Sequence, residues 1–169
     1  MIIRGSIPYD SRSANLGGFV EVVRPGAFAG SLEGEREIHF LHQHDYGRVL
    51  ATTHNGTLRL TDTRAALRFE AELPDTTLAR DLHTSVKRGD IRGASFAFSI
   101  NGAAGERWSE QSGGPLLREL LSVRLFELTV TPLPAYPATR VEARTAAAAR
   151  RQMDNALRKR RLVGRLAAA

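Results

Sequence analysis

Apolar and polar residues alternate in short runs along most of this chain, and a period of two predicts β-strands rather than helices. The runs are bounded by glycine, proline, asparagine or aspartate, as in chains that are built from sheets. The predicted strands are Gly17–Val23, Glu37–His44, Arg48–Thr53, Leu58–Thr63, Ala66–Leu73, Ile91–Ile100 and a last strand, SVRLFELTVTPL, that begins at Ser122.

Turn signals separate these strands. Asn55-Gly56 is the strongest of them, because both residues tolerate positive φ, and it predicts a hairpin between the two strands that flank it. A second turn is predicted at Asp45–Gly47, and the glycine- and serine-rich residues 101–115 predict a loop. Regular structure is expected to end at the last prolines, Pro132, Pro134 and Pro137.

Two segments show helical signals. Arg24–Leu32 predicts a turn followed by a short helix. A second helix is predicted after Pro74, with Asp75 or Thr76 as its cap and Gly89 as its end. Its apolar residues recur every four positions, at Leu78, Leu82 and Val86. The fold class that follows is mainly β with few α elements, a small antiparallel β-barrel or sandwich with flanking helices.

The positive charge of the chain lies at its C-terminal end. Of the 169 residues, 144–169 hold eight basic residues and one acid, whereas 1–143 hold 16 basic and 17 acidic residues. We therefore expect a domain over 1–143 and a basic, alanine- and arginine-rich tail over 144–169, helical or disordered. The nearly neutral body lacks the basic patch that nucleic-acid binding requires, so nucleic acid is not an expected partner of the body.

The chain contains no cysteine. Disulfides, thiolate zinc sites and cysteine nucleophiles are therefore excluded, and a reducing compartment is expected. The first residues, MIIRGSIPYD, lack the apolar core of a signal peptide, and no apolar run approaches the roughly 20 residues that span a bilayer. We expect a soluble protein that stays in the cell that makes it.

Three residues that are far apart in the chain have complementary chemistry. His44 lies in FLHQHD, Ser95 follows fifty-one residues later in GASFAF, and Glu127 interrupts the apolar LFELTV another thirty-two residues on. A serine hydroxyl is a poor nucleophile unless a base takes its proton and a third group orients that base. These three residues supply a nucleophile, a base and an acid.

Each of them also has an ordinary explanation. Ser95 fits a serine on the open face of a strand, and His44 fits a solvated histidine at a strand end. A carboxylate at Glu127 is costly to bury unpaired, and Arg118 or Arg124 would serve as its partner. In strict alternation Glu127 shares its strand face with Val123, Leu125, Thr129 and Thr131.

A metal site is a further alternative. His42 and His44 form an H-x-H pair, which on a strand places both rings on one face. Such a site requires a third protein ligand, for which His39, His54 and Asp45 are candidates, although the spacing matches no familiar metallohydrolase.

The sequence segments around these residues resemble those of a known family, the prohead (procapsid) maturation proteases of tailed bacteriophages. These proteases are related in fold to herpesvirus assemblin. RPGAFAGSL is similar to the family's PGAF…SL segment, and FLHQHDYGRVLATT to its segment with histidine before aspartate. VKRGDIRGASFAFSI resembles its G-x-S motif, and ELLSVRLFELTVTPLPAYPATRV its L-x-E motif with the prolines that follow. The resemblance covers about residues 16–143, with four matches in order.

The resemblance assigns roles residue by residue. It implies His44 as general base, Ser95 as nucleophile and Glu127 as third member, at the place in the order where the viral relatives use a second histidine. The family often has glycine two residues after the serine, where this chain has Ala97, whose methyl group would tighten the backbone near an oxyanion hole. Arginines that would help to bind an oxyanion are Arg92, Arg118 and Arg124.

The resemblance also implies a setting. It predicts a serine endopeptidase without cofactor or metal, packaged inside the immature capsid in the host cytoplasm. Its substrates would be scaffold or the scaffolding segment of the major capsid protein, and the protease itself; a homodimer is expected, and no membrane. Two alternatives from other classes stay open: an inactive capsid or scaffold component with this fold, and a β-barrel module that binds nucleic acid through the basic tail.

Overall fold

A computed structural model of the chain describes residues 1–34 and 36–144. Over this part the chain is mainly β, as predicted, with eleven strands and two α-helices. The strands are β1 (Ile2–Pro8), β2 (Phe19–Val23), β3 (His39–His42), β4 (Asp45–Thr52), β5 (Leu58–Asp62), β6 (Ala66–Glu72), β7 (Gly93–Ile100), β8 (Glu106–Ser109), β9 (Leu116–Leu120), β10 (Val123–Thr131) and β11 (Arg140–Arg144). The helices are α1 (Ala29–Leu32) and α2 (Thr77–Arg88).

The strands form three sheets. Sheet 1 has the order β11-β1-β6-β5, sheet 2 the order β4-β3-β10-β7, and sheet 3 the order β2-β9-β8. Most neighbours are antiparallel, but β3 runs parallel to β10 and β2 runs parallel to β9. Among the described residues the sheets do not close into a barrel, so the sandwich-like alternative of the predicted fold class is the observed one.

One main core joins sheets 1 and 2. Ile3 of β1, Phe40 of β3 and Leu128 of β10 are each fully buried in it, and Leu82 of α2 packs into the same cluster. Sheet 3 has a small apolar cluster of its own, formed by Val20, Val22 and Leu117. Burial of apolar surface of this kind is the dominant stabilising contribution to a fold.

The helix α2 has the ends that its sequence predicts. The Thr76 hydroxyl accepts the backbone N–H of Ala79 at 3.2 Å, and Gly89 adopts the left-handed conformation at φ 86°. The cap satisfies one of the donors that a helix start leaves free, and glycine takes this conformation without a steric cost.

Two predictions of local structure were wrong. The turn predicted at Asp45–Gly47 lies at Gln43-His44 instead, directly before Asp45. Gly56 does turn the chain with positive φ, but β4 and β5 on either side belong to different sheets and are not a hairpin. A turn signal fixes a local reversal and carries no information about which sheet each strand joins.

Four strands were also missed: β1, β8, β9 and β11. β8 lies inside the predicted loop 101–115, and β11 follows the prolines that were expected to end regular structure. Both are edge strands, in sheets 3 and 1 respectively, and are short, so their own sequence carries a weak pattern. The tail predicted as separate, and the helix predicted within it, lie outside the described residues after Arg144. No helix of the described part is long and apolar enough to cross a membrane.

Candidate active site

His44 lies in a two-residue turn between β3 and β4. His42 pairs with Asp45, and the two residues between them, Gln43 and His44, have φ values of 56° and 59°. Positive φ at both central residues is the geometry of a type I′ hairpin turn, and neither residue is the asparagine or glycine that usually occupies it. Such a conformation persists where its surroundings hold it.

The neighbouring strand β10 holds this turn. The Thr129 hydroxyl accepts the backbone N–H of His44 at 3.0 Å and donates to the carbonyl oxygen of Leu41 at 3.1 Å. The backbone N–H of Gln43 donates to the carbonyl of Val130 at 3.3 Å. Thr129 is fully buried, so these bonds fix the His44 backbone to the middle of sheet 2.

The His44 ring contacts Glu127. Nδ1 of His44 lies 2.6 Å from Oε1 of Glu127, whose side chain is buried, while the imidazole is 46% exposed. When Glu127 is ionised it only accepts hydrogen bonds, so Nδ1 then carries the shared hydrogen. The free base nitrogen is then Nε2, on the part of the ring that is not held by the carboxylate.

Burial controls the ionisation of Glu127. It raises the pKa of this carboxyl above its ordinary value, while the hydrogen bond and the charge of His44 act in the opposite direction. Among the described residues Oε2 has no hydrogen-bond partner and is shielded from solvent. A buried carboxylate that is only partly satisfied is costly, and such groups concentrate at functional sites.

A β-bulge places Glu127 on this face of the sheet. Leu125 pairs with Phe98 of β7, but Glu127 pairs with Ala97, so Phe126 is the extra residue. Because side chains alternate, the extra residue leaves Leu125 facing the core side with Phe98 and turns Glu127 to the opposite side. The predicted alternation is therefore wrong for Val123 and Leu125, whereas Thr129 and Thr131 do share the face of Glu127.

Helix α1 fixes β10 just before the bulge. The hydroxyl of Ser31, a buried residue, accepts the backbone N–H of Leu125 at 2.8 Å and donates to the carbonyl of Val123 at 2.7 Å. One side chain thus satisfies two backbone groups of β10 that precede the residues paired with β3.

Ser95 lies on β7, directly opposite Thr129. Opposite residues in an antiparallel pair share a face, so Ser95 and Glu127 project to the same side of sheet 2 from neighbouring rows. Ser95 is 8% exposed, and the next residue, Phe96, faces the core, where its ring lies 5.5 Å from that of Phe28. Within the described residues the Ser95 hydroxyl makes no hydrogen bond, including to His44.

The ordinary explanation for Glu127 is not observed. Arg118 pairs with Glu21 at 3.0 Å and Glu106 at 2.6 Å in sheet 3. The Arg124 guanidinium lies over the Phe126 ring at 5.2 Å. Glu127 takes His44 as its partner instead.

The geometry of the H-x-H pair differs from the prediction. His42 lies on β3, whereas His44 lies in the turn, so the two rings do not share a strand face. Burial lowers the pKa of His42, and its Nδ1 is buried without a partner among the described residues. In this part of the chain no three His, Cys, Asp or Glu residues are grouped so as to hold a metal ion.

Sequence reasoning missed the role of Thr129 and the bulge at Phe126. The signal for Thr129 was present, since a hydroxyl in the apolar run LTV needs a hydrogen-bond partner when buried. The bulge had no such signal, because Phe126 has the residue type of an ordinary strand position.

The comparison with protein families identifies the chain. The model of the caudovirus prohead serine protease family matches residues 2–158. The chain belongs to that family. The match extends beyond residues 16–143 at both ends, so it includes β1 and β11 of sheet 1 as well as the candidate active site. Membership indicates a serine protease of the prohead type. No curated protein matches the chain.

Proposed function

We propose that this prohead protease is a serine endopeptidase in which Ser95 is the nucleophile, His44 the general base and Glu127 the acid that orients the base. The observation that carries the proposal is the 2.6 Å contact between Nδ1 of His44 and Oε1 of Glu127, on the face of sheet 2 to which Ser95 projects. A base held by a buried carboxylate beside a serine is the arrangement that activates a hydroxyl.

Acyl transfer follows from these roles. Oγ of Ser95 attacks the carbonyl carbon of the scissile peptide while Nε2 of His44 takes the hydroxyl proton. Glu127 stabilises the imidazolium that forms and does not itself take the proton. His44 then gives the proton to the leaving amine, and water hydrolyses the acyl-enzyme by the same route. The hydrogen bond from Ser95 to His44 forms when substrate binds, since catalytic hydrogen bonds are often long in free enzymes.

Family membership supports the substrate class. A prohead protease acts where capsid proteins are assembled, so we propose scaffold or the scaffolding segment of the major capsid protein as substrate, inside the prohead in the host cell. Cleavage of its own chain, and dimerisation, belong to the same proposal. The basic residues 144–169 would bind acidic capsid or scaffold surfaces or would be a self-cleaved segment; intact mass of the chain in mature particles distinguishes the two.

The test is co-expression with the cognate major capsid protein, read by intact mass. Ser95→Ala and His44→Ala should each abolish processing. The matched controls are Ser99→Ala, an exposed serine of the same strand, and His54→Ala, an exposed histidine in the turn after β4; both should process normally. Circular dichroism of each purified variant checks that the fold is retained.

The same experiment separates the rivals. Normal particle maturation with Ser95→Ala would contradict the catalytic role and favour an inactive assembly component. A module that binds nucleic acid through its tail would instead lose binding on deletion of 144–169, and its affinity would fall steeply with salt. Processing that persists in Ser95→Ala but is lost in His42→Ala would favour the alternative of a metal site that includes His42.

A further inference from the structure

A basic groove begins beside the strand that carries Ser95. One cavity of about 500 Å³ is lined by Arg92, Gly93, Pro134 and Arg140, together with other residues of the proline-rich segment after β10. Gly93 lies two residues before Ser95, and alternate residues of a strand project to the same face, about 7 Å apart. A Cβ on Gly93 would meet Cγ of Pro134 at 2.4 Å, so this proline covers the face of β7 to which Ser95 projects.

The groove continues across the outer face of sheet 1. A second cavity, of about 670 Å³, is also lined by Arg140, so the two cavities adjoin at this residue. The backbone N–H of Val141 donates to the carbonyl of Arg92 at 3.0 Å, which holds β11 against the start of β7. The two adjoining cavities, which extend from the start of β7 onto sheet 1, are together called the arginine groove.

Register explains why the second cavity is lined by charge. One row across sheet 1 contains Glu142, Arg4, Glu70 and Arg59, in alternating sign. The next row on the same face contains Arg140, Ser6, Arg68 and Thr61, with no acid. Residues of the first row form ion pairs with one another, Arg4 with Glu70 at 2.5 Å and Arg59 with Glu70 at 3.2 Å. The second row contains no acid and therefore forms no ion pair within the row.

The guanidinium groups of Arg68 and Arg92, both in the groove, form no ion pair with a carboxylate among the described residues. Arg140 is held in place by backbone carbonyls, with Nη1 donating to Pro137 and Thr139 at 2.8 Å each. With five arginines and two glutamates the groove carries a local charge of +3, whereas residues 1–143 as a whole carry one more acid than base. The positive charge of the body is therefore concentrated along one path.

We propose that the arginine groove binds an extended, acidic segment of the substrate polypeptide and holds it for cleavage at Ser95, an inference that rests on the proposed function. Guanidinium groups are matched to carboxylates, which they bind with two parallel hydrogen bonds. The apolar rim of Pro132, Leu133 and Pro134 at the end nearest Ser95 suits the aliphatic parts of a peptide, and Leu133 is 87% exposed.

The groove favours a peptide over the other anionic polymers. Glu70 and Glu142 line it as well. A peptide backbone has N–H groups that can donate to these carboxylates, whereas a phosphate backbone has none. The chain's own tail is excluded by charge, because residues 144–169 hold eight basic residues and one acid.

The binding test uses the full chain with Ser95→Ala, so that no cleavage is needed. The probes are a fluorescein-labelled Glu/Ser/Gly peptide, its Gln/Ser/Gly twin and a single-stranded oligonucleotide of equal charge, read by anisotropy. The acidic peptide should bind about tenfold tighter than its twin. Arg68→Gln and Arg92→Gln should each weaken it about two- to fivefold, since exposed charge pairs contribute up to about 1 kcal/mol. Arg64→Gln, an exposed arginine in the β5–β6 turn, removes the same charge outside the groove and should leave it unchanged.

Three results would contradict the proposal that the groove binds an acidic peptide. They are equal affinity for the two peptides, an equal loss of peptide affinity in Arg64→Gln, or tighter binding of the oligonucleotide than of the acidic peptide. A cleavage assay with acid-flanked peptides separates this failure from that of the proposed function. Arg68→Gln should raise KM and leave kcat unchanged. If Arg68→Gln and Arg92→Gln cleave these peptides as the wild type does, the proposal that the groove binds substrate is wrong, but the proteolytic function is not. If the protein binds the peptides but cleaves neither them nor the capsid protein, the proposed proteolytic function is wrong.

Discussion

The hydroxyl of Thr129 accepts the backbone N–H of His44 at 3.0 Å, although the two residues are 85 positions apart in the chain. Thr129 also lies directly opposite Ser95 on the adjacent strand. One buried side chain therefore connects the turn that carries the proposed base to the row that carries the proposed nucleophile. Its hydroxyl acts on the position of His44 and takes no part in proton transfer.

Thr129→Val should lower kcat and leave KM nearly unchanged. Valine keeps the shape but leaves the N–H of His44 and the carbonyl of Leu41 without their partner, and a displacement of about 1 Å costs about 100-fold in rate. The loss of stability should be about 1–3 kcal/mol. Thr129→Ser retains the hydroxyl and should restore most of the activity. Equal loss in both variants would show that Thr129 matters only through packing.

Glu127→Gln should reduce cleavage far more than it reduces stability. An amide in the place of the triad acid lowers kcat by about 10⁴ in serine proteases, because the imidazole loses its correct tautomer and its charge partner. Cleavage of a peptide substrate under single-turnover conditions measures the chemical step. Activity of Glu127→Gln within about tenfold of wild type would mean that the carboxylate is not needed to orient His44.

The same variant should change how stability depends on pH. Burial raises the folded-state pKa of Glu127, so between the unfolded and the folded pKa the folded state binds more protons. The contribution of Glu127 to stability is thus full below the unfolded pKa, about 4.3, and is lost as pH rises through the folded pKa. Urea unfolding should show Glu127→Gln gaining relative to wild type as pH rises through this window. A difference that stays constant with pH would contradict the raised pKa.

The local signals of the sequence were sufficient for much of the fold. Thr76 and Gly89 bound the helix α2 as predicted, because helix caps depend on neighbours in the chain. His44 and Glu127 were paired as candidates from their chemistry together with the family resemblance, and they lie in contact. Their catalytic roles with Ser95 stay a prediction.

What escaped prediction depends on pairing between distant strands. The parallel alignment of β3 with β10 sets which residues flank Glu127, and no local pattern specifies it. The bulge at Phe126 likewise exists only relative to β7. In regular pairing without the bulge, Phe126 would oppose Ala97 and Glu127 would oppose Phe96 and face the core. The proposed site therefore depends on a feature that alternation along one strand cannot reveal.

Sheet 3 offers a second test of charge and pH. Glu119 is 5% exposed and lies 2.6 Å from both Arg24 and Arg107, which hold its pKa at about 2. Its stabilising contribution is present above the unfolded pKa of about 4.3 and is lost as pH falls toward the folded value. Glu119→Gln should cost about 2 kcal/mol at neutral pH, since it removes hydrogen bonds to a charged group.

The cost of Glu119→Gln should shrink as pH falls to about 2, as urea or thermal unfolding across that range would show. Glu110→Gln is the control, because it removes the same charge from an exposed residue. If both variants lost the same stability at neutral pH, the paired arginines would contribute nothing specific to Glu119.

Gly93→Ala tests the approach of Pro134 to the nucleophile strand. Small residues before Ser95 suit the approach of a substrate, but here the space above Gly93 is already filled by the proline ring, which a Cβ would meet at 2.4, 2.8 and 2.9 Å. A rigid ring cannot yield by rotating, so the segment after β10 must shift. Overpacking of this kind costs about 1–3 kcal/mol.

Gly30→Ala is the matched control for Gly93→Ala. Nothing lies within 4 Å of a Cβ at Gly30, in the helix α1, so alanine there should be neutral or should stabilise the chain by about 0.5–1 kcal/mol. Unfolding free energies of the two variants should therefore move in opposite directions. Because Gly93 and Pro134 line the mouth of the arginine groove, Gly93→Ala should also weaken binding of the acidic peptide. Wild-type stability in Gly93→Ala would mean that Pro134 moves freely away from β7 and does not shape this part of the groove.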